Sequence, residues 1–310
     1  MDGRETLNRI TDNLHRVIKG KTQATELIVT ALCAGGHVLI EDVPGVGKTT
    51  LCKALAKSIS GDFHRIQFTP DLLPTDIVGG MVYSPKDGGF SFRPGPVFCH
   101  ILLADEINRA SPRTQSALLE CMSEGQVSIE GRTYPMSDPF MVIATQNPVE
   151  YHGTYPLPEA QLDRFALRID MGYPSAEEEM ELVQEQRQHH PLLDLTAVAS
   201  VDEVRAAARQ AREVVVEQSV IQYATELVRK TRTDSRIKLG ASPRATATLY
   251  RCGQAYAFIQ GRDYVMPDDI KRLAIPVLAH RIIVETKAAF SGDSKQGLVQ
   301  ELLESQPVPA

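Results

Sequence analysis

A buried strand that runs into a glycine loop and straight on into a helix leaves a chain few folds to adopt. His37-Val38-Leu39-Ile40 is a short apolar run of strand length. Asp42-Val43-Pro44-Gly45-Val46-Gly47 follows as a tight turn segment, and Lys48-Thr49-Thr50 opens the helical stretch Leu51–Lys57. Strand, glycine loop and helix in that order are what a phosphate-binding loop requires. Glycines let backbone N–H groups turn inward on an anion, and the helix N-terminus adds partial positive charge. Lys48 can reach β- and γ-phosphates as a point charge, and the Thr49 hydroxyl can ligand Mg²⁺. Val43 to Thr50 are therefore the candidate ATP/ADP-binding residues. One position departs from the G-x-x-x-x-G-K-[ST] pattern: Asp42 stands where the first glycine is expected. Asp also tolerates turns.

The rest of the first half alternates strands with helices. His64–Phe68 reads as a strand, Thr69–Ile77 reads as a short helix between turns, and Val97–Ala104 is a continuous apolar run of the kind buried in parallel sheets. That run ends in Asp105-Glu106. An acidic pair at the end of such a strand, in a chain with a phosphate loop, is a metal and water site. Asp105 is placed to hold Mg²⁺ and Glu106 to take a proton from the attacking water. Phe140–Ala144 is a further buried strand, ending in Thr145-Gln146-Asn147-Pro148. Asn147 is either a polar group set beside Asp105, if the two strands are neighbours, or an ordinary strand-end turn before proline. Arg168–Met171 reads as the last short strand. Two hairpin signals interrupt the alternation, Met81–Phe92 around Asp87-Gly88-Gly89 and Gln126–Met136 around Glu130-Gly131. Phe90 and Phe92 share a face, which suits either packing or contact with a partner.

Beyond Gly172-Tyr173-Pro174 the pattern becomes helical. Ser175…Glu178 and Ser200…Glu203 have the spacing of capping boxes. Helices are expected near 175–189, 200–211, 218–231 and 243–260, then from Pro267 to about Val284, with the tail Ser305–Ala310 frayed. The expected architecture is an α/β nucleotide-binding domain over 1–172, a parallel sheet flanked by helices, followed by a smaller all-helical domain over 173–310.

Composition excludes several alternatives. The 310 residues carry a net charge of −6, which gives no global attraction to nucleic acid or to an acidic membrane surface. The five cysteines are scattered without metal-ligand spacing and suit reduced core thiols. The charged N-terminus has no apolar signal region, and no apolar run approaches membrane-spanning length. A soluble cytoplasmic protein is expected.

Four motifs in order, EDVPGVGKTT, ILLADEINRA, ATQNPVEYHGTYPLPEAQLDRF and GASPRA, resemble the MoxR-type AAA+ ATPases from about Ile18 to about Ile283. Asp at position 42 is usual in that family. The resemblance implies roles that spacing alone does not give. Asn147 resembles the sensor that positions the attacking water. Arg164 resembles an arginine finger that reaches the nucleotide of a neighbouring subunit, which implies a ring, usually a homo-hexamer. Arg244 resembles the second sensor, projecting from the lid domain to the nucleotide. Val17-Ile18-Lys19-Gly20 matches the segment beside the adenine, so Ile18 and Gly20 join the nucleotide ligands. The hairpins at 81–92 and 126–136 match the elements that face the ring pore.

The implied activity is Mg²⁺-dependent ATP hydrolysis that remodels or matures partner proteins in the manner of a chaperone, with clients that carry von Willebrand A-type domains. Two rivals stand beside it. A nucleic-acid motor would share the core, but Gln126–Met136 carries only Arg132 as a basic residue, next to Glu130 and Asp138. A nucleotide-gated scaffold without turnover would not need Glu106. Magnesium-chelatase-type AAA+ subunits, which also pair with von Willebrand A-type proteins, are close relatives of this pattern.

Overall fold

Runs such as Leu102-Leu103-Ala104 cannot turn either face to water, and the fold buries both faces of each. A computed structural model describes residues 2–42, 45–85, 88–146, 154–180 and 191–309. The first half contains α1 (Gly3–His15), α2 (Thr22–Ala34), β1 (Val38–Glu41), α3 (Lys48–Ser58), β2 (Phe63–Gln67) and α4 (Pro74–Val78). Next come the hairpin β3 (Gly79–Ser84) and β4 (Gly89–Pro94), then β5 (Ile101–Asp105) and α5 (Pro112–Glu124). The hairpin β6 (Gln126–Ile129) and β7 (Arg132–Pro135), β8 (Met141–Gln146), α6 (Glu159–Leu162) and β9 (Leu167–Ile169) complete it.

Five of these strands form one parallel sheet in the order β2-β5-β8-β1-β9. Alternate side chains of each central strand enter different cores. Val38, Ile40, Ile101, Leu103, Met141 and Ile143 face one, while Leu39, Leu102, Ala104, Val142 and Ala144 face the other. Helices α1 to α3 cover the first face, and α4 with α5 covers the second. The sheet thus carries the ends of β1, β8 and β5 side by side at one edge, where an α/β sheet binds its ligand.

The second half contains α7 (Pro191–Asp194), α8 (Val201–Ala211), α9 (Gln218–Lys230), β10 (Ile237–Leu239), α10 (Pro243–Ile259), α11 (Pro267–Leu278), β11 (Ile283–Val284), α12 (Thr286–Phe290) and α13 (Lys295–Glu304). Residues 176–180 are also helical; the rest of the helix expected over 175–189 lies outside the described residues except 175. These helices pack on α1 and α2, so the first core runs on without a break into Leu227, Leu249 and Leu273.

Three boundaries differ from the sequence reading. The strand expected from Val97 starts only at Ile101, because Val97 donates its N–H to Ile77 and Cys99 to Val97 in a turn that closes the β3–β4 hairpin. The helix expected to reach Val284 stops at Leu278, since the β-branched Ile283-Val284 pairs instead with β10 as a short antiparallel ribbon. Nor does the tail fray at Ser305. Gln306 is buried and donates to Glu226 at 2.9 Å.

The five cysteines are free and buried, and burial pushes their thiols up, Cys33 and Cys252 to about 12. Among the described residues no helix is long and apolar enough to cross a membrane.

His37 sits at the base of β1, fully enclosed. Its Nδ1 accepts the Val142 N–H at 3.0 Å, so its Nε2 carries the proton and donates to the Met122 carbonyl at 3.0 Å. Burial lowers its pKa to about 4. His280, also enclosed, is lowered by burial and by the neighbouring Arg281 charge. In the unfolded chain each histidine binds a proton near pH 6.5, whereas in the fold it stays neutral to much lower pH. Stability from these groups is therefore complete above pH 6.5 and is lost as pH falls toward 4. The loss for His37 alone is about 3 kcal/mol. Urea midpoints between pH 6.5 and 4.5, above the carboxylate range, are expected to fall steadily, with a shallower slope in His37→Gln. A flat curve would contradict this.

Candidate active site

The site begins where β1 ends. Glu41 pairs with Gln146 of β8, and the chain then turns at Asp42. Asp42 is buried, and its Oδ2 accepts the N–H groups of Met171 at 2.7 Å and Gly172 at 2.6 Å, just beyond β9. A glycine there would leave both donors without this partner. The residue that departs from the general phosphate-loop pattern thus fastens the loop to the adjacent strand. Gly45 at φ 88° and Gly47 at φ 91° occupy left-handed backbone that side chains resist, and Gly47 leads directly into α3. Val43 and Pro44 lie outside the described residues. Val46 packs partly on the first core, and Thr49 and Thr50 occupy the first turn of α3.

Lys48, the first residue of α3, donates from Nζ to the Asp42 carbonyl at 2.9 Å. Its pKa is lowered by burial, against which the charges of Asp42, Asp105 and Glu106 pull upward. The ammonium therefore lies in the field of all three carboxylates, which a bound polyphosphate would share.

Asp105 closes β5, beside β8, which itself borders β1. Its Oδ1 accepts from the Thr145 hydroxyl at 2.6 Å, and its Oδ2 accepts from Arg65 Nη2 at 2.6 Å. Glu106 follows in left-handed backbone, φ 55° and ψ 49°, a conformation costing of order 1–3 kcal/mol for a residue of this kind. Its N–H donates to Thr145 Oγ1 at 2.8 Å. Its Oε2 accepts from Gln67 Nε2 at 2.6 Å and lies 3.2 Å from Arg109 Nε. Ser60 and Glu130 share this left-handed conformation, but of the three only Glu106 directly follows a strand of the parallel sheet.

No motif in the sequence singles out Thr145, Arg65 or Gln67. Arg65 and Gln67 alternate on the solvent side of an edge strand, where polar residues are unremarkable. Only the parallel register of β2 with β5, which sets Gln67 opposite Asp105, brings them to the acids. Asn147 lies outside the described residues. The strand β8, which ends at Gln146, runs between β5 and β1.

A carboxylate and a hydroxyl, both hard oxygens, fit Mg²⁺, which usually takes one or two protein ligands and fills the rest with phosphate and water. Asp105 and Thr49 are the candidate donors of that kind, and in the structure Arg65 already holds one Asp105 oxygen.

Beside this edge lies a cavity of about 530 Å³, lined by Gly20, Lys21, Met171 and, from α11, Arg272, Ile275 and Pro276. Gly20 thus lies at the cavity wall. Ile18 is buried and is not among the residues lining the cavity; its N–H donates to the Leu14 carbonyl at 2.8 Å.

The two candidate arginines lie elsewhere. Arg164 follows α6, and its Nη1 donates to the Leu119 carbonyl at 2.6 Å and to the Ser123 hydroxyl, both near the end of α5. It lines a second cavity of about 420 Å³ together with Arg244, Arg251 and Arg281. That cavity is also walled by Gly36 and His37, which precede β1, whereas Lys48 follows it. A strand of four residues spans about 13 Å. The fold therefore sets Arg164 and Arg244 together, at the edge of the sheet opposite to Lys48. Arg244 does not sit over the chain's own phosphate loop, as projection from a lid onto the same subunit's nucleotide would require. Arg244 is carried there by the packing of α10 on α2, a contact between segments more than two hundred residues apart.

The two hairpins meet each other. Phe92 of β4 stacks on Tyr134 of β7 with ring centroids 4.0 Å apart and meets Phe98 edge-on. Phe90 is 69% exposed and touches Tyr83 across the strands. Of the two phenylalanines one is packing and the other is surface.

The profile of the ATPase family associated with various cellular activities (AAA) matches residues 37–167, and that of the AAA lid domain matches residues 229–302. The protein YeaC of Bacillus subtilis is 49% identical over 98% of this chain and 95% of its own length. The chaperone MoxR1 of Mycobacterium tuberculosis is 40% identical over 98% of this chain and 82% of its own. A crystal structure of a candidate ATPase from Cytophaga hutchinsonii superposes with a TM-score of 0.92 at 40% identity, covering 99% of this chain and 96% of that one. With a phosphate loop after β1, an acidic pair at the end of β5 and an AAA lid domain, this chain belongs to the MoxR family of AAA+ ATPases.

Proposed function

We propose that this protein is a Mg²⁺-dependent ATPase whose sites lie between subunits of a homo-oligomeric ring, six subunits being the family's usual number. In each site Lys48 and the 45–50 loop bind the phosphates, and Asp105 with Thr49 holds the metal. Bound there, Mg²⁺ neutralises charge on the β- and γ-phosphates. Glu106 takes the proton of the attacking water, which Asn147 orients. Arg164 and Arg244 come from the adjacent subunit. The base occupies the cavity beside Gly20. Residues 1–172 form the nucleotide-binding part and residues 173–310 the lid.

The observation that carries this reading is the separation of the two halves of the site. The phosphate loop and the acids share one edge of the sheet, and the arginines share the other. One chain cannot bring both to a single phosphate without dismantling its core. Two chains placed edge to edge can. Hydrolysis then depends on assembly, and the movement it drives acts on cytoplasmic partner proteins. The name of the MoxR1 relative supports a chaperone-like outcome, and the family resemblance points to clients with von Willebrand A-type domains. Phe90, exposed at the end of its hairpin, is the side chain offered to such a client.

Phosphate release at saturating ATP tests the core of this. Turnover per subunit is expected to rise with protein concentration in Mg²⁺ and to vanish in excess EDTA. Turnover that ignores EDTA would remove the metal from the account. A rate unchanged down to concentrations at which sizing shows monomers would remove the shared site.

A further inference from the structure

Between Arg164 and Arg244 lies a buried ionic joint that neither the motifs nor the comparisons assign. Arg281 follows α11, and its side chain is 1% exposed. Its Nε donates to Asp163 Oδ1 at 2.8 Å. Its Nη2 donates to the Phe165 carbonyl at 2.7 Å and its Nη1 to the Ala166 carbonyl at 3.1 Å. His280 donates to the same Phe165 carbonyl at 3.0 Å. The lid therefore grips the backbone on either side of Arg164. The other Asp163 oxygen, Oδ2, accepts the Ser242 hydroxyl at 2.8 Å. Ser242 is the N-cap of α10, and its Oγ accepts the Arg244 N–H at 3.1 Å. One carboxylate thus links the residue beside Arg164 to the cap that orients Arg244.

The geometry points to Asp163 as a positioning residue that, through Arg281 and Ser242, fixes Arg164 and Arg244 as one rigid unit and couples that unit to the nucleotide cavity of its own subunit. This rests on the shared-site reading above. The coupling element is α11 itself. Arg272, Ile275, Pro276 and Ala279, at helical spacing, line the cavity beside Gly20, and His280 and Arg281 follow on the same segment. A shift of α11 when the cavity fills therefore reaches Arg164 through rigid contacts only.

Stability alone does not call for this arrangement. Apolar side chains of similar volume hold a lid to a core as well as a buried ion pair does, or better. What the pair supplies is direction. Its hydrogen bonds fix the 163–166 segment to one register on the lid, and Arg164 rides on that segment. An arginine that must meet a γ-phosphate across a subunit boundary needs such a fixed base, because a displacement of 1 Å in a reacting geometry can cost about 10²-fold in rate.

The test uses the full-length protein and three single variants, Asp163→Asn, Ser242→Gly and Arg164→Ala. Glycine caps a helix almost as well as serine, so Ser242→Gly removes the hydroxyl link with little loss of helix stability. Four quantities are read: melting temperature, assembled mass, affinity for a fluorescent ADP, and turnover against ATP concentration. Asp163→Asn is expected to keep ADP affinity within about twofold while turnover falls about 10²-fold. Ser242→Gly is expected to lose about tenfold, with any sigmoidal dependence on ATP flattened. If Asp163→Asn does not fold, Ser242→Gly decides alone. Wild-type turnover in the folded variants, with Arg164→Ala inactive, would overturn the joint and spare the shared site. Turnover that falls only in proportion to melting temperature, assembly or ADP affinity would reduce the joint to a structural contact and equally overturn it. Wild-type turnover in Arg164→Ala would instead overturn the shared-site reading beneath it.

Discussion

Glu106→Gln is expected to bind ATP at wild-type affinity and to hydrolyse it 10²–10⁴-fold more slowly, the range in which general-base catalysis contributes. The substitution keeps the shape of the side chain. A glutamine carbonyl oxygen can still accept from Gln67, which now meets Glu106 at 2.6 Å, and the backbone bond from residue 106 to Thr145 is untouched. What is removed is the carboxylate proposed to take the proton of water. In the proposed site phosphate binding rests on Lys48 and the loop, so affinity measured with a fluorescent nucleotide should not move. Turnover near the wild-type rate would show that another group is the base.

Arg164→Ala is expected to lose more, about 10³–10⁵-fold in turnover, the contribution of an arginine finger supplied by a neighbour. The fold should survive it. The guanidinium is partly exposed, and among the described residues the bonds it gives up are to the Leu119 carbonyl and the Ser123 hydroxyl. Binding of nucleotide to the same subunit should be unchanged, since Lys48 lies at the far edge of the sheet. Arg164→Lys is expected to recover little, because an ammonium cannot reproduce the planar fork that meets two phosphate oxygens. The measurement is again phosphate release beside nucleotide affinity. Parallel losses in both would place Arg164 in the site of its own chain.

The parts of this molecule legible in its sequence are those set by local chemistry. A strand, a glycine loop and a lysine at a helix start are fixed within about a dozen residues, and so is an acidic pair closing an apolar run. The parallel sheet follows from alternation, since parallel strands need crossovers long enough for a helix. What escaped is decided by register between distant segments. Asp42 is visible as an exception, but its partners Met171 and Gly172 lie 129 and 130 residues away and meet it only because β9 borders β1. Gln67 and Arg65 look like ordinary edge-strand residues until β2 pairs with β5. Arg244 could be recognised from its motif but not placed, because its position depends on how α10 docks on α2. The short ribbon of β10 and β11 replaced an expected helix end for the same reason: pairing across more than forty residues outweighed local helical preference.

The central claim is that one catalytic site draws on two chains. Mixing Lys48→Ala with Arg164→Ala tests it most directly. Each variant alone is expected to be inactive, the first for want of bound phosphate and the second for want of the finger. In a mixed ring the Lys48→Ala subunit still offers Arg164 to a neighbour that still binds ATP. An equal mixture is therefore expected to recover up to about a quarter of wild-type turnover per subunit, the share of head-to-tail interfaces that pair the two intact halves. A mixture that sizing shows to be co-assembled yet stays as inactive as its components would contradict the account.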